Sequence, residues 1–350
     1  MRTGVLMCFV SLVFLAHGSV AQTSEDGLLP SVQLSPQSIY GFGQITDVAC
    51  SGLGDDFYIA LTSTTPDEVA LLQHTSSGIA VKFRAVLESY ATHVDVSAAG
   101  SVIALVGSTP RVWSASGQER ALALPKEVAN AIYTGFTAGD VPYAVGVQAT
   151  RFVYWDEASA GVRISQDTGV DFETGTAPTA TDFEEVSLTF LAVHDRCQLF
   201  TWILGAGTAP LIKTDLYLEA GGYRSSFGRI LDVGPAVQYI VLGNRTTVGG
   251  LSRLYSFAPA AASYTAINTY GLADVSEVRI SPDGATLWLS GRNGADFAVV
   301  ALDAMTLRAL RGYEEPRSVS GLIGAFSTDG AHAVLVSGGS VAVWRIAPAP

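Results

Sequence analysis

Residues Ile280–Leu307 read ISPDGATLWLSGRNGADFAVVALDAMTL. Ser281-Pro282-Asp283-Gly284 is a turn, and the short apolar strand that follows runs through Trp288. Asn293-Gly294 supplies a second turn, and Val299 to Asp303 form a second strand before Thr306-Leu307. Asp-Gly and Asn-Gly pairs suit tight hairpins because glycine takes positive φ without a steric penalty. A sheet of this size cannot bury both of its faces by itself, so the unit needs neighbours.

The neighbours are copies of itself. Ser51-Gly52-Leu53-Gly54, Ser97-Ala98-Ala99-Gly100 and Ser327-Thr328-Asp329-Gly330 repeat the S-x-x-G turn of Ser281–Gly284, each between two short apolar runs. Weaker versions stand at Phe136-Thr137-Ala138-Gly139, at His194 to Cys197 and near Gly234-Pro235. The marks recur about every 46 residues, a blade-like period too long for leucine-rich or ankyrin repeats. Within each period the segments alternate and are β-rich, as in Phe57 to Ser63, Ser101 to Ser108 and His332 to Ser337. Second strands close on aromatics at Trp113, Trp155 and Trp344, a recurrence that predicts core packing. Almost no long stretch has helical period. The expected fold is therefore all-β: a seven-bladed β-propeller over residues 39–350, in which stacked sheets cover one another around an axis.

The sixth repeat, Ile280 to Leu307, resembles the YVTN-type propeller repeat and, more distantly, WD-repeat proteins; the seventh follows the same plan through Trp344. No repeat carries the Gly-His and Trp-Asp pairs of a full WD repeat. The resemblance implies architecture alone, since propellers host binding scaffolds and enzymes alike.

Strand counting predicts how the ring closes. The last repeat yields three strands and stops at Ala347-Pro348-Ala349-Pro350. The segment 22–38 holds one extended piece, Ser31-Val32-Gln33-Leu34-Ser35, expected to add as the outer strand of the last blade.

Residues 1–21 read as a signal peptide: Arg2, an apolar run from Val5 to Ala16, then Ser19-Val20-Ala21 with small residues at −3 and −1, predicting cleavage after Ala21. Secretion, or a periplasmic location in a bacterium, is the expectation. The apolar run is short for a span of about 20 residues, and Leu188 to Gly205 is interrupted by His194-Asp195-Arg196, so no membrane span is expected. The chain's net charge of −12 becomes one unit more negative once Arg2 is removed. Such a balance repels nucleic acid and anionic membranes. Asn244-Arg245-Thr246 is a glycosylation acceptor in a eukaryotic host.

Candidate chemistry is sparse. His74, His93, His194 and His332 fall in different repeats without metal-ligand spacing, and read as separate turn or edge residues. Asp55, Asp56, Asp140, Asp283 and Asp329 occupy comparable turns. A ring of carboxylates suits a calcium site or an acidic collar; aspartate also serves the turn itself by bonding its own backbone. Without a D-x-D-x-D-G run the turn reading takes precedence, and no metal or cofactor is assigned. Cys50 and Cys197, in the first and fourth repeats, are expected to be buried and unpaired. Asp171-Phe172-Glu173 and Asp182-Phe183-Glu184-Glu185 bracket an apparent insertion, Thr174 to Thr181, read either as a functional loop or as an acidic connector. No G-x-S-x-G elbow or phosphate cradle occurs. The expected function is a binding or scaffolding module for a protein or glycan. The rivals are a lactonase- or hydrolase-like enzyme with a funnel site, favoured by histidines converging with carboxylates at one mouth, and a structural subunit of an extracellular assembly.

Overall fold

The computed structural model describes Val32–Gln33, residues 37–167 except 129, 149–150 and 160, and residues 285–346 except 294–295 and 316–321. Between 180 and 280 it describes the strands together with residues 188, 270 and 272. The protein is all-β. Among the described residues the strands form seven sheets, six of four strands and one of five. The five-stranded sheet adds a parallel strand to an antiparallel set of four. The one helical element described is a short 3-10 turn, Lys126–Val128. No helix among the described residues is long and apolar enough to cross a membrane.

Each sheet is a meander. The first comprises Gln44–Leu53, Asp56–Thr64, Glu68–Thr75 and Gly78–Val86. The second comprises Ala91–Val96, Val102–Val106, Thr109–Trp113 and Glu119–Arg120, and the third Ala131–Phe136, Pro142–Gln148, Arg151–Asp156 and Ile164–Asp167. The fourth starts with Ala180–Glu184 and Thr189–His194, and the fifth with Phe227–Asp232 and Gln238–Gly243. The sixth contains Glu277–Ile280, Thr286–Asn293, Asp296–Asp303 and Ala309–Glu315. The seventh contains Leu322–Phe326, His332–Ser337 and Ser340–Arg345.

Burial explains why the central strands are apolar throughout. Val102–Val106 is buried at every position, which requires cover on both faces. The first sheet shows where that cover comes from. Ile59 and Leu61 join Val334 and Val343 of the seventh sheet, whereas the intervening Ala60 joins Val94 and Val102 of the second. Alternate residues of one strand thus serve two neighbours, so strict hydrophobic alternation disappears. Trp113, Trp155 and Trp344 are buried, each against the preceding sheet, as their shared position predicts. First strands lie next to first strands in chain order, and Leu322–Phe326 lies beside Gln44–Leu53. The arrangement is propeller-like.

Four sequence-based placements need correction. The strand that pairs with Ser340–Arg345 is Gln37–Tyr40, in antiparallel register; within the expected 31–35 piece, Val32–Gln33 pairs instead with Ala309–Glu315, in parallel. The two strands on either side of residues 34–36 therefore serve different sheets. His194 ends the second strand of the fourth sheet and pairs with Gln198 of the third, so it does not mark the junction of first and second strands, where Glu184 pairs with Thr189. Asp182, Phe183 and Glu184 belong to a first strand that begins at Ala180, with Phe183 buried, so Ala180 and Thr181 of the expected insertion are strand residues. Ser51 is paired with Tyr58 inside a strand, and the hairpin itself is the Gly54-Asp55 pair.

Candidate functional site

Three first strands carry a bulge at the same place, between Ile45 and Asp47, Ala91 and His93, and Ala131 and Tyr133. A bulge re-aims the residue that follows it. The three re-aimed residues form a row across neighbouring sheets. His93 Nδ1 lies 3.1 Å from Asp47 Oδ2, and the His93 ring lies 4.3 Å from that of Tyr133. Asp47 Oδ2 also accepts the Val94 amide at 3.1 Å. One sheet further on, Asp95 Oδ2 accepts the Phe136 amide at 2.8 Å. These aspartates hold adjacent first strands together, and Asp47 additionally orients an imidazole. Sequence reasoning passed over Asp47, Asp95 and Tyr133. The available signal was Thr46-Asp47-Val48 and Thr92-His93-Val94, set identically before Ser51 and Ser97.

At the opposite end of the same strands lie the S-x-x-G turns. Gly100 donates to Ser97 O at 3.0 Å, and Ser97 Oγ accepts from Ser101 N at 3.0 Å. Ser327 and Gly330 repeat the pattern. Gly100 and Gly330 have positive φ, and a Cβ on each would fall 2.8 Å from Tyr58 Cζ and 3.1 Å from Trp288 Nε1. The turn glycine therefore lets one sheet's hairpin press on the aromatic of the sheet before it. In the third sheet Thr137 plays the serine and Asp140, at φ 59, takes the glycine's place; the turn is shifted by one residue from Phe136–Gly139.

The turn carboxylates are largely committed to this joinery. Asp140 Oδ1 accepts the Ala98 amide at 3.0 Å. Asp329 accepts from Gly54 N at 2.6 Å, Ser327 Oγ at 2.7 Å and Ala331 N at 3.0 Å. Burial opposes ionisation of Asp329, but these hydrogen bonds outweigh it and hold the carboxyl below its ordinary range. Asp56 Oδ1 accepts from Gln73 Nε2 at 2.8 Å. Among the described residues no group of three or more His, Cys, Asp or Glu side chains is arranged to hold a metal ion. Ala21, Asp283, Cys197 and Asn244 lie outside the described residues. Cys50 is half-buried, not buried, in the first strand of the first sheet.

Two histidines that the sequence placed apart are brought together. His74 and His332 have ring centroids 5.0 Å apart, and Phe57 packs against both, at 4.7 and 5.1 Å. His74 Nδ1–H donates to the Asp55 carbonyl at 3.0 Å, and His332 Nε2 lies 3.3 Å from Asp55 Oδ1. The pair converges with a carboxylate as the enzymatic rival requires, but at 4% and 2% exposure both histidines are enclosed between sheets. His194 lies in the second strand of the fourth sheet.

Large apolar side chains are exposed at several places among the described residues, Met305 and Leu53 included, and three of them share one end of the sheets. Tyr40, Val86 and Tyr90 are 65%, 77% and 57% exposed. Register puts them at the end of the seventh, first and second sheets that lies opposite the Gly54-Asp55 hairpin: Tyr40 faces Ser340, Val86 faces Glu68, and Tyr90 accepts from Gly107 N. Arg84 braces this end. It donates to Gly41 O at 3.0 Å, lies 4.7 Å over the Phe42 ring, and pairs with the buried Glu68 at 2.9 Å. The chain matches no known family model, and no curated protein resembles it in sequence.

Proposed function

We propose that this chain is an exported, closed seven-bladed β-propeller that serves as a binding scaffold for a protein or glycan partner. Cyclic neighbour order of the first strands and the pairing of Gln37–Tyr40 with Ser340–Arg345 support the closed ring. The leader-like sequence of residues 1–21, with its apolar run and small residues at Ser19 and Ala21, supports export. One observation carries the binding role: Tyr40, Val86 and Tyr90 stand exposed at one end of three consecutive sheets, an end braced by Arg84. Exposed tyrosines offer large amphipathic contact area with little entropy to lose, which suits a protein epitope or the apolar face of a sugar. Glycan-array binding and capture from extracellular fluid, with wild type beside Tyr40→Ser/Tyr90→Ser, test the role. Partner retention is expected to fall at least tenfold in the double variant; undiminished retention removes this face from consideration.

A hydrolytic reading has one observation in its favour, the His93–Asp47 contact at 3.1 Å. A carboxylate on Nδ1 fixes the imidazole tautomer and leaves Nε2 as the base, the arrangement of a nucleophilic triad without its nucleophile. Turnover of ester or lactone substrates that collapses in Asp47→Asn supports it. The absence of turnover in the wild type leaves Asp47 as a strand-to-strand link alone.

A further inference from the structure

We propose that the junction of the first and seventh sheets is a pH-sensitive latch, opened by a proton taken up at His332 as the medium acidifies. Three hydrogen bonds make the junction at the turn: Thr328 N to Gly52 O at 3.1 Å, Gly52 N to Thr328 Oγ1 at 3.2 Å, and Gly54 N to Asp329 Oδ2 at 2.6 Å. Beneath them the Phe57–His74–His332 cluster bridges the two sheets, with Phe57 and His74 from the first and His332 from the seventh.

Among the described residues, four charged or titratable groups act on His332. Asp55 comes from the first-sheet hairpin and Asp329 from the seventh-sheet turn; His74 stands on the third strand of the first sheet; Arg345 is the register partner of His332 itself. His332 Nε2 faces Asp55 Oδ1, while His332 Nδ1 is buried with no hydrogen-bond partner among the described residues. A neutral ring tolerates this, leaving a bare lone pair at Nδ1. A protonated ring carries a donor there, buried and unmet, 5.0 Å from the His74 ring. Burial first, and then His74, depress the His332 pKa below its ordinary 6.5, with Arg345 adding to them; Asp55 and Asp329 pull the other way without prevailing.

The sign follows from linkage. A histidine whose folded pKa is lowered favours the closed state fully above 6.5, and that advantage shrinks as pH falls below 6.5, because the opened form takes up the proton first. The Asp329 carboxyl sits below its ordinary 3.8 and remains ionised throughout this window, so it does not account for a loss between pH 6.5 and 5. The latch stands independently of what the scaffold binds.

Amide hydrogen exchange on the full chain at stepped pH from 7.5 to 5, corrected for intrinsic rates, tests it. Gly52, Gly54 and Thr328 are expected to lose protection relative to Leu289 and Val300 of the sixth sheet, by as much as about tenfold per pH unit below 6.5. His332→Phe, which keeps a ring of similar size without the titration, is expected to flatten that profile. Protection that falls equally at the junction and in the sixth sheet overturns the proposal, as does an unchanged acid loss in His332→Phe. Should the variant not fold, the wild-type profile decides alone.

Discussion

Asp329 and Gly54, from the last and first sheets, are joined by a hydrogen bond of 2.6 Å from the glycine amide to the carboxylate. The residue type that reads in sequence as a turn-former or calcium ligand acts here as a latch between distant parts of the chain. Asp140 on Ala98, Asp47 on Val94 and Asp95 on Phe136 do the same between successive sheets. Stacked sheets share no continuous ladder, so side-chain-to-backbone bonds of this kind fix their angular relation.

Asp329→Ala is expected to destabilise the protein by roughly 1–3 kcal/mol, the cost of removing a charged acceptor from three donors. Asp329→Asn keeps one carbonyl oxygen and is expected to lose less. Because the carboxyl is held below 3.8, its contribution is present above that pH and disappears as pH falls through the folded value. Urea denaturation of wild type and Asp329→Asn at pH 7 and pH 3 checks this: the difference between them is expected to shrink in acid.

Gly100→Ala is expected to cost roughly 2–4 kcal/mol, combining left-handed backbone strain with a collision against Tyr58, and Gly330→Ala somewhat less, because its Cβ only crowds Trp288. Gly338→Ala is the control. It shares the positive φ, at 54°, but a Cβ there meets nothing within 4 Å, so about 1 kcal/mol is expected from strain alone. Equal thermal shifts for all three would remove the inter-sheet packing role of the S-x-x-G glycine.

Asp95→Ala strips the Phe136 amide of its acceptor and is expected to cost roughly 1–3 kcal/mol. Asp95→Asn is expected to recover most of this, since an amide carbonyl can accept the same bond. A deficit of equal size in both variants would point to the charge, not the bond, as the stabilising element.

Deleting residues up to Tyr40 removes the strand that covers Ser340–Arg345. The bared edge offers unpaired backbone groups to another chain. A lower melting temperature and the appearance of oligomers on gel filtration are expected; an unchanged monomer of unchanged stability contradicts a structural role for that strand.

The sequence made the β character and the buried tryptophans legible because each is local: a turn glycine, an apolar run, an aromatic at a fixed offset. The unread parts depend on neighbours. His74 and His332 stack because the last sheet meets the first, a relation that spacing along the chain does not encode. Asp47 gains its role only from the bulges that align it with His93 and Tyr133 on neighbouring sheets. The turn at Thr137 was misplaced by one residue because Asp140, in the left-handed conformation, stands where glycine was sought. Which of two nearby short extended pieces caps the last sheet is likewise decided by the neighbour: Val32–Gln33 pairs with the sixth sheet and Gln37–Tyr40 with the seventh.

A crystal structure of the chain tests the closed ring most directly. Seven sheets about one axis, with Leu322–Phe326 beside Gln44–Leu53 and Gln37–Tyr40 outermost on the last sheet, are predicted. Two sheets packed face to face, or an open array with its first and last sheets apart, would contradict it.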